Sequence, residues 1–148
     1  MNIRKIIPLI LVLTLAGCEA APGESPVKQT PLDPCPNTPN CVNSLESDPD
    51  HHIAPLTFEG SGEEALNRLK RIVEKLEGAT IVSSNPEGFQ AEFTTKLFGF
   101  VDDVSFLLQE EDKAIHVRSA SRVGYWDLGA NRRRVEKIRE AFEKGPGD

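Results

Sequence analysis

The sequence predicts an α+β domain, an antiparallel β-meander with two amphipathic helices packed on one face. Two segments carry apolar residues at helical spacing, and the segments between them alternate apolar with polar residues. The breaks between the alternating segments are short enough for hairpins, which antiparallel neighbours allow and parallel ones do not. With 148 residues, of which 39% are hydrophobic, the chain suffices for one domain around one core.

The first helix is expected over 62–77. Ser61-Gly62-Glu63-Glu64 has the spacing of a capping box, Leu66, Leu69, Ile72, Val73 and Leu76 share one face, and Gly78 suits the position after the last turn. A short β-branched strand over 80–83 leads to the turn Asn85-Pro86-Glu87-Gly88. In the next strand Phe89, Ala91 and Phe93 alternate with Gln90, Glu92 and Thr94. Val104, Phe106 and Leu108 then alternate with Asp103, Ser105 and Leu107, and Ile115 and Val117 with His116 and Arg118. Hairpin breaks fall at 97–100 and 109–113, and a further strand is expected near 56–58. The second helix begins near Ala130, spaces Val135, Ile138 and Phe142 along one face, and ends before Gly145-Pro146. With both helices on one side of the sheet, the other side presents Gln90, Glu92, Asp103, Ser105, His116 and Arg118. No internal repeat is visible.

Upstream of this domain the chain reads as an address. Arg4 and Lys5 precede an apolar run over 6–15, and Leu15-Ala16-Gly17-Cys18 follows. A charged start, a short apolar stretch and small residues before a cleavage point describe a secretory signal, and the run is too short to span a bilayer. The quartet resembles the bacterial lipobox, whose Cys is acylated, with palmitate or similar chains, and becomes the mature N-terminus. Residues 1–17 are therefore expected to be removed and Cys18 to be the lipidation site. That removal takes away Arg4 and Lys5, leaving 131 residues and moving the formal charge from −6 to −8. Acyl chains on Cys18 would hold the protein on a membrane without a spanning helix. Glu19 stands where an Asp tends to signal inner-membrane retention, so the resemblance implies the periplasmic face of the outer membrane in a diderm bacterium. Residues 18–34, with four Pro and Gly23, read as the lipidated Cys and a flexible tether, and 35–148 as the single domain.

Cys35 and Cys41 remain once Cys18 is acylated. In an exported protein this pair is read as a structural disulfide. Its spacing is not that of a C-x-x-C redox motif, and zinc would need more ligands than the adjacent His51 and His52 offer.

The segment Arg118-Ser119-Ala120-Ser121-Arg122 through Asp127-Leu128-Gly129-Ala130-Asn131-Arg132-Arg133-Arg134 is the most unusual stretch. Three Arg occupy the first turn of the second helix, where the macrodipole disfavours cations by a few tenths of a kcal/mol each. In one reading Asp102, Asp103 and Asp127 pair with Arg118, Arg122 and Arg132, while Asp127 or Asn131 caps the helix. In the other, the Arg groups and free N–H groups bind an anionic ligand such as a phosphate, a carboxylate or a lipid headgroup.

Cys35-Pro36, Pro39-Asn40-Cys41-Val42-Asn43-Ser44, Gly99-Phe100-Val101-Asp102-Asp103, Arg118-Ser119-Ala120-Ser121-Arg122, Asp127-Leu128-Gly129 and Asn131-Arg132 together resemble the bacterial and plastid family called domain of unknown function 1499. The resemblance covers roughly 35–142. It implies an architecture, export in many members and frequent attachment as a lipoprotein; it implies no chemistry.

Function classes separate on what the sequence holds. A formal charge of −6 and a pI near 5.1 argue against nucleic acid as a partner. The chain has no Gly-rich phosphate loop, dinucleotide fingerprint or Cys/His metal cluster, so no cofactor is expected. Ser119 and Ser121 lack the Gly-x-Ser-x-Gly elbow of a catalytic Ser. An envelope hydrolase would have to use His116 with Asp103 and Ser105 on the polar sheet face. The preferred expectation is a lipid-anchored envelope protein acting as a binding or interaction module. Besides the membrane itself, its expected partners are an anionic ligand or another envelope protein. The apolar tip Leu97-Phe98-Gly99-Phe100 either docks a partner or a bilayer, or folds back over Tyr125 or Trp126 as a second small cluster.

Overall fold

A computed structural model describes residues 32–145. The expected signal segment and the lipidation site Cys18 lie outside the described residues. The element order is β1 (Cys41–Asn43), β2 (Leu56–Thr57), α1 (Gly62–Glu74), β3 (Ala79–Asn85), β4 (Gly88–Thr94), β5 (Val101–Gln109), β6 (Ala114–Ser121) and α2 (Ala130–Glu143). This is the α+β class the periodicities predict. The four long strands form an antiparallel meander in chain order. Beyond β6 the sheet continues with β1 and β2, which share its outer edge: β1 lies along Arg118–Ala120 and β2 along Ala114–Ile115, both antiparallel.

Both helices cover one face, and a single core joins them to the sheet. Leu66, Leu69 and Val73 from α1 and Val135, Ile138 and Phe142 from α2 pack on Phe89, Ala91, Phe93, Val104, Phe106, Ile115 and Val117. Phe89 stacks on Phe106 with ring centroids 4.5 Å apart, and the Arg68 guanidinium lies 4.2 Å from the Phe142 ring centre.

Ser61 caps α1, its Oγ accepting from the Glu64 N–H at 3.4 Å. The helix ends at Glu74 rather than 77, because its last turn tightens: Lys75 N–H donates to the Ile72 carbonyl and Leu76 N–H to that of Val73. Strand β3 is correspondingly longer than expected. β1 is an addition to the expected elements; its three residues are too few for alternation to register. The packed unit also begins earlier than Cys35. Leu32 is buried, and the Asp33 carbonyl accepts from Asn43 Nδ2 and Arg118 Nε, so the last residues assigned to the tether belong to the fold. The Cys35–Cys41 disulfide is formed and fastens this entry segment to β1.

Gly88 illustrates a reason that pattern alone does not reveal. The pattern predicts a turn glycine, but a Cβ built there would lie 2.2 Å from the Phe106 carbonyl oxygen. Only a residue without a side chain lets β5 approach so closely. Replacing Gly88 with Ala is expected to destabilise the domain by about 2 kcal/mol through overpacking against backbone, read as a lower denaturant midpoint at unchanged slope.

Candidate functional site

The unusual Arg-rich segment spans the exit of β6, a loop over 122–129 and the start of α2. Two polar systems form there, on opposite faces of the sheet.

On the helix-covered face the centre is Asn131, which is fully buried. Its Oδ1 accepts from Ser119 Oγ at 2.6 Å and from Arg134 Nη1 at 2.7 Å. Its Nδ2 donates to the Asn40 carbonyl, to Ser121 Oγ and to Asp127 Oδ2 at 2.8–3.0 Å. One amide thus joins α2, β6, the approach to β1 and the loop before the helix. Arg134 extends the network by an ion pair with Asp102, and its guanidinium lies 4.8 Å from the Phe93 ring centre. Both partners are largely buried.

Asp127 closes the helix end. Gly129 occupies the N-cap position in the left-handed region, at φ +77°, and has no side chain to cap with. Asp127 does that work from two residues upstream. Its Oδ1 accepts from the Gly129 N–H at 2.8 Å and its Oδ2 from the Asn131 N–H at 2.7 Å. Partial burial alone would raise this carboxyl's pKa; the donated hydrogen bonds outweigh burial and hold it below the usual range.

On the open face Arg122 grips Asp103 with two hydrogen bonds of 2.7 and 2.8 Å and also pairs with Glu92. The strand register puts Glu92 opposite Asp103 across β4 and β5. This cluster is well exposed.

The expected pairings are therefore partly rearranged. Asp103 pairs with Arg122, but Asp102 pairs with Arg134, a residue outside the expected set. Asp127 caps the helix. Arg118 and Arg132 pair with backbone: Arg118 holds the Asp33 carbonyl, and Arg132 holds the carbonyls of His52 and Asp50 at 2.8 and 3.0 Å. Arg133 donates to the Leu128 carbonyl at 2.7 Å. The three cations in the first turn of α2 are thus offset by Asp127 and by acceptors reached away from the helix axis. One signal could have found Arg134: it stands three residues after Asn131, one turn on along the same face.

The remaining polar residues of the open face are spread out. His116 lies opposite Leu107, and its Nδ1 is 3.0 Å from Ser44 Oγ, which also accepts from the Val117 N–H. Asp103 stands four residues along β5 from Leu107, about 13 Å away at strand rise. Ser105 lies opposite Arg118. The fold brings Asp103, Glu92 and Arg122 together and does not bring His116 to Asp103. Burial pushes the His116 pKa down, with Asp112 acting weakly the other way. Among the described residues no cluster of three His, Cys, Asp or Glu side chains could hold a metal ion.

Around these networks the surface is apolar. Leu97, Phe98 and Phe100 in the β4–β5 turn and Val123, Tyr125, Trp126 and Leu128 in the β6–α2 loop are all exposed, Phe98 at 70% and Trp126 at 67%. Phe98 stacks on Phe100, with centroids 5.6 Å apart, and neither is covered by the rings of the neighbouring loop. The expected second cluster over Tyr125 or Trp126 does not form. Both loops leave the same end of the sheet, where the Arg122 N–H donates to the Val101 carbonyl at 3.1 Å.

The model of the family described as "Protein of unknown function (DUF1499)" matches residues 31–142. The chain belongs to this family. The matched segment contains β1 to β6, α1, all but the last residue of α2, and both polar networks. No curated protein and no solved structure matches the chain.

Two outcomes test this anatomy. Asp102→Asn and Asn131→Ala should each lower the unfolding free energy by about 3 kcal/mol, since each strands buried polar groups. Arg122→Ala, on the exposed face, should leave the denaturant midpoint nearly unchanged. The second outcome concerns acid. Because the His116 pKa is lowered on folding, its contribution is fully present above its unfolded value near 6.5. That contribution is lost as pH falls through the lowered value. Stability should therefore decline as pH falls below about 6.5, and His116→Gln should flatten that decline in a denaturant series.

Proposed function

We propose that this member of the family is a lipid-anchored cell-envelope protein that acts as a binding module, and that the apolar end of its sheet is the binding surface. Acylation of Cys18 would attach it to a membrane, in a diderm source to the periplasmic face of the outer membrane.

One observation carries the reading. Seven large apolar side chains stand exposed on two loops at one end, whereas Leu45 and Val82 are the other exposed large hydrophobics among the described residues. A monomer has no use for such a concentration, because each ring left in water forgoes the stabilisation that burial would bring. The loop backbone beneath these side chains is held firmly. Asn40 Nδ2 donates to the Gly124 carbonyl at 2.6 Å, Asp127 ties the loop to α2, and Arg133 holds the Leu128 carbonyl. A backbone so pinned, with its apolar side chains turned outward, is pre-organised for contact.

Leu128 sharpens the point. It adopts φ +55°, in the left-handed region, and is 63% exposed. A leucine there is disfavoured twice, by backbone sterics and by exposure, and neither is relieved within the monomer. The Arg/Asp/Asn motif then serves the binding surface indirectly, by holding the loop that displays it.

The test is site-specific photocrosslinking in living cells from position 98 or 126, with Val82 as the exposed apolar control. Adducts from 98 and 126 that are absent from 82 are expected. Equal or absent labelling at all three positions would remove the basis for this surface.

A further inference from the structure

The apolar end is flanked by cations in a chain whose overall charge is −6. Beside it, a cleft of about 380 Å³ lies between the end of β4, the α1–β3 connection and the first turns of α2, with Lys96, Arg133, Arg134 and Lys137 among its walls. Arg134 is committed to Asp102 and Lys96 forms an exposed ion pair with Glu77, while Arg133 and Lys137 are exposed to solvent and meet no carboxylate within ion-pair distance among the described residues. Arg133 touches the displaying loop at the Leu128 carbonyl. Lys137 stands one turn further along α2, about 6 Å higher.

We propose that this end docks on the surface of an anionic phospholipid bilayer, with the loop side chains entering the interface and Lys96, Arg133 and Lys137 meeting the phosphates. The proposal rests on the reading of the apolar end as a binding surface and names its occupant. Three observations favour a bilayer. The side chains are those that settle at the boundary between headgroups and acyl chains, Trp and Tyr beside Phe and Leu. Leu97 and Phe98 project from a hairpin turn, a convex shape that a fluid interface accepts without a matching pocket. The cations neighbour the apolar side chains, Lys96 next to Leu97 in the turn and Arg133 bonded to the Leu128 carbonyl, a pairing of basic and apolar groups suited to an anionic surface.

Chain length allows the same membrane to serve as anchor and as docking surface. From Cys18 to Leu32 the chain spans 14 residues, a reach of at most about 46 Å. The described chain begins beside Arg118, whose Nε holds the Asp33 carbonyl; Arg118 is three residues, or about 10 Å, from the loop end of β6. An acylated Cys18 would keep the apolar end within reach of the bilayer and make docking an intramolecular event. The lipid anchor and the loops would then act as two weak attachments that together fix orientation.

Trp126 is the single tryptophan of the chain and lies on the proposed surface, so it reports docking directly. The processed, acylated protein is reconstituted in vesicles of phosphatidylcholine with and without phosphatidylglycerol, each prepared with lipid brominated along its acyl chains. Docking predicts a blue-shifted Trp126 emission and strong bromine quenching in the anionic vesicles, both weakened by salt. Lys137→Glu should lower the docked-to-undocked ratio roughly 5-fold or more, and Phe98→Ser should do likewise while the circular dichroism of the fold is retained. Emission unaffected by brominated lipid in a folded protein would overturn the proposal, as would quenching that is equal in neutral and anionic vesicles. Unquenched Trp126 with protein adducts from position 98 would leave the binding module standing and replace the bilayer by a protein partner. A doubled mass with Trp126 unquenched would assign the surface to a second copy of the chain.

Discussion

Asn131 sits where α2, β6, the approach to β1 and the loop before α2 meet. Its carboxamide uses both ends, accepting from Ser119 and Arg134 and donating to Asn40, Ser121 and Asp127. A buried amide is tolerated only when its hydrogen bonds are made, and here the partners come from β6, α2, the approach to β1 and the loop before α2. The network therefore works as a geometric clamp. It sets where α2 begins relative to β6, seats the entry segment on the sheet edge, and pulls Asp127 into place below the helix N-terminus. Apolar packing of Val135, Ile138 and Phe142 holds α2 on the sheet but would accept small slides along its axis. Directional hydrogen bonds do not.

The clamp accounts for the charge pattern that makes the sequence unusual. Three arginines opening a helix oppose its macrodipole, yet each has an acceptor set away from the axis, and a carboxylate held in its ionised form caps the exposed N–H groups. The motif that looked like an anion site is largely occupied by the protein itself. What it leaves over is a rigid loop with apolar side chains turned to solvent, and exposed cations beside it at Lys96, Arg133 and Lys137. Structural and functional readings of the motif are thus compatible: the polar interior stabilises the platform, and the surface above it meets the partner.

Periodicity carried most of the fold. The alternation in β4, β5 and β6 and the helical spacing in α1 and α2 reflect burial on one face, so these elements are legible wherever they run for more than about five residues. β1 is not, because three residues cannot show a period and its pairing with β6 depends on partners 75 to 79 residues further along the chain. The same distance explains the site. That Asp103 would meet Arg122 follows from both lying at one end of adjacent strands on one face. That Asp102 would meet Arg134 needs the seating of α2 over the opposite face, which no local pattern encodes.

The sequence by itself determined the class of fold, the approximate bounds of its helices and long strands, the family and the expectation of export with a lipid anchor. These rest on local signals: side-chain periodicity, capping residues and a short address. Only the tertiary structure decided which partner each cation takes, that His116 and Asp103 stand far apart, and that the aromatic side chains at the loop end stay in solvent. Those outcomes depend on strand register and on where α2 docks. Both are set by burial and hydrogen bonding between residues far apart in the chain, and such partners leave no trace in the order of their neighbours.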